Sequence, residues 1–132
     1  MTINDAAEND RVFSLMVENL GVQAIWIGLT DEPHKNYYEK WAVTDELVTY
    51  TNWENGEPNA VSGYNFECIT LYRTFGKWND DRCDRPRNFV CEKPKQPVNH
   101  IDTDYEGCNH GWILHDKRCY KFEQDPQDRS II

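Results

Sequence analysis

The sequence lacks several things that whole classes of protein need. No apolar run approaches the ~18–20 residues of a membrane span, and the start of the chain has neither the basic opening nor the apolar stretch of a secretion signal. Met1 is therefore expected not to be the natural beginning of a secreted protein. Lys and Arg number 14 against 23 Asp and Glu, a formal charge of −9 at pH 7. That balance argues against non-specific nucleic-acid binding, which needs clustered cations to displace counterions. No Cys-x-x-Cys pair is present, which removes the usual zinc-ribbon and thioredoxin spacings. No Asn-x-Ser/Thr sequon occurs, so N-glycosylation is not expected on this stretch. The chain shows no internal repeat.

What is present fits one ordinary domain in length, since 132 residues falls within the ~100–150 typical of domains. Hydrophobic content of 39% and aromatic content of 13% are enough to build a core. The acidic balance suits carboxylates gathered around a hard cation. All five cysteines, Cys68, Cys83, Cys91, Cys108 and Cys119, lie in the second half, and they read as a disulfide framework made in an oxidising compartment. Cys68–Cys83 would close a loop worth roughly 3 kcal/mol on the loop-entropy argument, and Cys108–Cys119 would staple a short hairpin. Cys91 is then left over. A rival reading joins Cys108, His110, His115 and Cys119 around zinc, although their spacing matches no common finger.

Asp5 and Glu8 read as a capping box. The apolar residues Val12, Phe13, Met16, Val17 and Leu20 that follow share one helical face, and Gly21 is placed to close the helix. Residues 24–29 form a short apolar run expected as a buried strand, and residues 66–73 and 89–92 restore strand character. Between them, residues 30–65 are polar, aromatic and broken by Pro33, Gly56, Pro58 and Gly63. A loop region of that length is usually functional. Residues from 93 to about 104 read as a linker rich in proline and polar groups, and residues 107–122 hold a second cysteine hairpin.

The loop region presents Glu57-Pro58-Asn59, followed some twenty residues later by Trp78-Asn79-Asp80. Glu57, Asn59, Asn79 and Asp80 are four hard-oxygen side chains, on loops expected to be pinned by Trp53, Trp78 and the Cys68–Cys83 bridge. Calcium takes roughly 6–8 such oxygens. A carboxylate can bind a metal and still accept a hydrogen bond, while an amide binds through oxygen and donates from nitrogen. Such a rim could hold two neighbouring sugar hydroxyls on the metal. The bland alternative is a polar surface turn.

Taken in order, Trp26-Ile27-Gly28-Leu29, Tyr50-Thr51-Asn52-Trp53, Gly56-Glu57-Pro58-Asn59, Cys68, Gly76-Lys77-Trp78-Asn79-Asp80, Cys83 and Phe89-Val90-Cys91 resemble a C-type lectin-like domain over residues 1–93. Gly107-Cys108, Gly111-Trp112 and Cys119-Tyr120 resemble the opening hairpin of another. The pair, joined by a linker over residues 94–106, is similar to a segment of the mannose-receptor family, whose ectodomains string many such domains together. The resemblance implies an α+β fold lacking its first strand and first helix, with residues 107–132 starting a second domain. It implies Ca2+ as cofactor and a cis proline in a Glu-Pro-Asn motif selecting mannose-type sugars (mannose, fucose or N-acetylglucosamine). It further implies an extracellular, endocytic and membrane-anchored parent, although this stretch has no membrane segment. Cys91 resembles half of a bridge to a cysteine on the family's first helix. Residues 118–122 resemble the family's first strand, which pairs with the last. A linker of roughly fifteen residues, ~50 Å when extended, would let that strand fold back against residues 89–92.

One departure bears on function. The family's fifth side-chain ligand is a glutamate two residues before the cysteine equivalent to Cys68, and Phe66 stands there. Asn65 could replace it with an amide oxygen, or Glu67 with a carboxylate if the strand is bulged; in a regular strand Glu67 faces away from Phe66. A working but weakened site is expected. A second calcium site has Asp31 and Glu67 to serve it, but Lys35 and Ala60 where acids would help. Tyr64 lies on the variable loop, where it could stack on a sugar face. The five tryptophans read as core and loop anchors. Asp45-Glu46 and Asp80-Asp81 could suggest paired catalytic acids, but adjacent surface acids are common and no enzyme activity is expected. The remaining alternative is a lectin-like domain that binds protein and has lost sugar binding.

Overall fold

In the computed structural model, which describes residues 1–18, 22–32, 37–59, 66–94, 108, 111–115 and 118–123, the first element is the helix α1, Ala6–Glu18. Its start is fixed as the capping box requires: the Glu8 amide donates to Asp5 Oδ1 at 2.8 Å. The return contact falls one residue early, because the Glu8 carboxylate accepts from the Asn4 amide at 2.6 Å rather than from Asp5. Asn9, Val12, Leu15 and Met16 form the buried face. The expected face is thus rotated: Val17 is 36% exposed and Leu15 takes its place, while Leu20 and Gly21 lie outside the described residues.

Six strands follow: β1 (Ala24–Thr30), β2 (Glu67–Tyr72), β3 (Trp78–Arg82), β4 (Asn88–Pro94), β5 (Ile113–His115) and β6 (Arg118–Glu123). They make one sheet in the order β3-β2-β1-β4-β6-β5. β1 and β4 run parallel, and the other neighbours are antiparallel. Ile25, Ile27 and Leu29 of β1, Ile69 and Leu71 of β2, Val90 of β4 and Tyr120 of β6 join Val12, Leu15 and Met16 of α1 in one core with Trp41 and Trp78. Fully burying each such aliphatic side chain is worth ~1.5–3 kcal/mol.

Two differences from the sequence reading have physical causes. β3, Trp78-Asn79-Asp80-Asp81-Arg82, carries one apolar residue and so gives no strand signal; it exists because it pairs with β2 in five-residue register and plants Trp78, 0% exposed, in the core. β4 runs on through Lys93 and Pro94, where a linker is expected, because β6 returns to pair with it from Phe89↔Glu123 to Pro94↔Arg118. The fold-back of residues 118–122 onto the 89–92 edge is therefore present. Cys68–Cys83 and Cys108–Cys119 are disulfides and Cys91 is a free thiol. With Cys108 and Cys119 bonded to each other, the zinc reading falls.

Candidate functional site

The long loop reaches the sheet through backbone and side chains alike. Trp78 N donates to Asn52 O at 2.8 Å and Glu54 N to Trp78 O at 2.8 Å, so Trp53 makes a one-residue bridge to Trp78. Their rings meet edge to face at 5.7 Å, an arrangement the ring quadrupoles favour. Glu57 N then donates to Glu54 O at 2.9 Å, closing a turn whose Gly56 has φ +84°, a region that favours glycine. The Glu57–Pro58 bond is cis, as the resemblance implies. This path sets Glu57 and Asn59 beside Asp80, two residues past Trp78 on β3.

Three of the expected residues meet there. The Asn59 backbone amide donates to Glu57 Oε2 at 3.1 Å and to Asp80 Oδ1 at 3.2 Å, and Asn59 Nδ2 donates to Glu57 Oε1 at 2.8 Å. Two carboxylates thus share one N–H. Partial burial, followed by the hydrogen bond and negative charge of Asp80, lifts the Glu57 carboxyl from its ordinary 4.5 to about 7. Asp80 itself is 9% exposed.

A second acidic pair lies under the same loop. Asp31 and Glu67 are 0% and 1% exposed; Asp31 Oδ1 accepts from Glu67 N at 2.7 Å, and Glu67 O accepts from Thr30 Oγ1 at 2.7 Å. Glu67 opens β2 and is buried there, on a stretch where the β1–β2 register slips between Trp26 and Thr30. The irregularity falls on β1, which advances four residues while β2 advances two. Tyr38 connects the two pairs electrostatically. Burial, then the charges of Asp31, Asp80, Glu67 and Glu57, drive its phenol far above the ordinary range, and its hydroxyl is buried without a hydrogen-bond partner among the described residues. Sequence reasoning missed Tyr38; the only available signal was an aromatic residue inside a polar loop.

Asn79 does not join the other three. Neighbouring strand residues point to opposite faces, and Asn79 lines a cavity of about 200 Å³ with Glu54, Tyr72, Thr74 and Lys77. Its Oδ1 is buried without a hydrogen-bond partner among the described residues, a free acceptor of the kind a cation or donor would satisfy. Asn65 and Tyr64 lie outside the described residues, as do Lys35 and Ala60. The donor set fits a hard cation: carboxylate and amide oxygens suit calcium, and no soft sulfur intrudes. Among the described residues no three His, Cys, Asp or Glu side chains form a cluster that could hold a metal by themselves.

With this geometry in hand, the comparisons with known proteins decide the family. The profile described as "Lectin C-type domain" matches residues 1–93. The chain belongs to the C-type lectin family. C-type mannose receptor 2 of Homo sapiens is 32% identical over 104 residues, 79% of this chain and 7% of that receptor. Hepatic lectin of Gallus gallus is 40% identical over 72 residues, 54% of this chain and 34% of that lectin. The chain thus spans 7% and 34% of the length of these curated relatives. Among solved structures, the human scavenger receptor C-type lectin carbohydrate-recognition domain superposes with a TM-score of 0.54 at 34% identity, covering 64% of each chain. The α+β arrangement of helix and sheet is accordingly the C-type lectin fold, and the relatives just named are a receptor and a lectin rather than enzymes. No helix among its described residues is long and apolar enough to cross a membrane.

Proposed function

We propose that this C-type lectin domain binds mannose-type glycans through Ca2+, as part of an extracellular, endocytic receptor carrying several such domains. In this reading residues 1–93 are the lectin domain, 94–106 the linker, and 107–132 the start of a second domain, with the parent chain anchored in a membrane. The observation that carries it is the convergence of Glu57, Asn59 and Asp80 on one backbone amide. The two carboxylates and the amide carbonyl of Asn59 offer hard oxygens to the ion, and Asn79 remains proposed as a further ligand. Glu67 and Asp31 supply negative charge beneath the loop, and Asn65 and Tyr64 remain proposed as further contacts. Bound calcium would accept vicinal sugar hydroxyls, while Glu57 accepts and Asn59 donates hydrogen bonds to the same hydroxyls. The names of the relatives, a mannose receptor and a hepatic lectin, support the ligand class. The test is chromatography on immobilised mannose: retention with calcium and release by chelator is expected, and equal retention with and without chelator rejects the reading.

A second reading, a lectin-like domain that binds protein without sugar, is favoured by Phe66 in place of a ligating glutamate and by the separate cavity that Asn79 lines. Calorimetry separates the two. Heat on adding calcium supports the first reading, and none supports the second.

A further inference from the structure

Asparagine is followed by glycine once in the chain, at Asn55-Gly56, immediately before the Glu57-Pro58-Asn59 segment. Every other asparagine precedes a residue whose side chain crowds the neighbouring N–H. Asn55 and Gly56 are both exposed, and both lie in a turn. That turn is closed by the hydrogen bond from Glu57 N to Glu54 O at 2.9 Å, and the Asn55 backbone amide donates to Glu54 Oε1 at 3.0 Å. Gly56 holds the left-handed position of a type II turn, with φ +84°. A Cβ placed on it would meet nothing within 4 Å. Among the described residues, no hydrogen bond engages the Asn55 carboxamide or the Gly56 N–H. An amide electrophile and an amide nucleophile therefore stand side by side in water, in a turn that one net hydrogen bond does little to keep from opening.

We propose that Asn55-Gly56 is a self-modification site whose β-linked product uncouples Glu57 and Asn59 from Asp80, giving the candidate site a built-in lifetime. Opening the turn lets the Asn55 ψ swing from its type II value of about +120°, and the empty space around Gly56 leaves room for that swing. The Gly56 nitrogen, its proton given up to hydroxide, then attacks Asn55 Cγ. The N–Cγ bond forms, the Cγ–Nδ2 bond breaks, and Nδ2 leaves as ammonia with a proton from water. A second water opens the cyclic imide. Cleavage of the new bond leaves aspartate at that position. Cleavage of the original peptide bond leaves a β-linked isoaspartate, with the main chain routed through Cβ. Either product adds a negative charge beside Glu54 and Glu57. The β-linked product also lengthens the main chain, by its Cβ atom, between the Glu54 carbonyl and the Glu57 N–H. The turn that delivers Glu57 then no longer closes in the same register. Glu57 Oε2 and Asp80 Oδ1 lose the Asn59 amide that they share as donor.

The test ages the full native chain at neutral and at mildly alkaline pH. Peptide mass spectrometry follows amide-to-acid conversion at each asparagine, and isoaspartyl methyltransferase marks the β-linked product. Conversion severalfold faster at Asn55 than at Asn4 and Asn59, which are also exposed, is expected, and it should accelerate with pH. Equal rates at the three positions overturn the proposal. In isotope-labelled chain, the NMR cross-peak of the Asn59 N–H is expected to move as the β-linked product accumulates. It should stay fixed in aged Asn55→Gln, whose imide would need a larger ring. A cross-peak that stays fixed in converted chain overturns the uncoupling. On mannose resin with calcium, aged chain is expected to lose retention severalfold and aged Asn55→Gln to keep it. This arm alone rests on the calcium reading. Full retention of converted chain overturns the proposal. If fresh chain is not retained either, the calcium reading fails, and the peptide masses and the Asn59 cross-peak still decide the proposal.

Discussion

Asn9 is 2% exposed on α1, and both ends of its amide are used. Nδ2 donates to Gly76 O at 3.1 Å and Oδ1 accepts from Trp78 Nε1 at 2.7 Å. The same Gly76 carbonyl accepts from Asn52 Nδ2 at 2.9 Å, so one buried polar knot ties the helix, the β2–β3 turn and the long loop together. Asn9→Ala strands a buried indole N–H and is expected to lose about 1–3 kcal/mol, read as a lower urea midpoint at unchanged slope. Glu57 carries the pH response. Its folded-state value of about 7 exceeds the ordinary 4.5, so the proton it holds favours the metal-free fold below 4.5 and that contribution is lost as pH rises through 7. Calcium competes for the same carboxylate. Its affinity is therefore expected to fall as pH drops from about 8 to about 6, with proton release visible in buffers of different ionisation heat. Calcium affinity independent of pH across that window would refute the role of Glu57. The paired change Glu57→Gln with Asn59→Asp, which reverses the positions of carboxylate and amide, is expected to shift retention from mannose toward galactose resin.

At the scale of elements, the strands with apolar runs were legible from the sequence and β3 was not. Residues 24–29, 66–73 and 89–92 alternate or concentrate apolar side chains, and the β1, β2 and β4 they mark are three of the four inner strands of the sheet. β3 is an edge whose buried residues besides Trp78 are the carboxylates Asp80 and Asp81, so it shows no apolar pattern. The Glu57-Pro58-Asn59 motif was legible because it is a contiguous tripeptide that stands in a fixed order before Trp78-Asn79-Asp80. Asn79 separated from the group because a strand puts adjacent residues on opposite faces, which a loop need not do. Tyr120 shows the same dependence from the hairpin side. Tyr120→Ala is expected to destabilise by about 3–5 kcal/mol, since a buried aromatic is removed. Hydrogen exchange at the amides of residues 89–93 should rise along with it as β6 leaves the edge. Unchanged protection there would show that β4 does not depend on the hairpin.

For the whole molecule, four of the 23 Asp and Glu residues, Asp31, Glu57, Glu67 and Asp80, all act on Tyr38. A cation bound among them stabilises the native state alone. Calcium at 100 times its dissociation constant is expected to add about 2.7 kcal/mol, seen as a higher melting temperature that chelator reverses. A melting temperature that ignores calcium favours the protein-binding reading. By itself, the sequence determined the family, the α1 face in outline, both disulfides and the Glu57, Asn59 and Asp80 set, because each is written in local spacing or in motif order. Only the tertiary structure decided that β3 is a strand, that Asn79 stands apart and that Tyr38 lies in the field of four carboxylates. Those outcomes depend on contacts between residues far apart in the chain, whose free energy appears only when the chain packs.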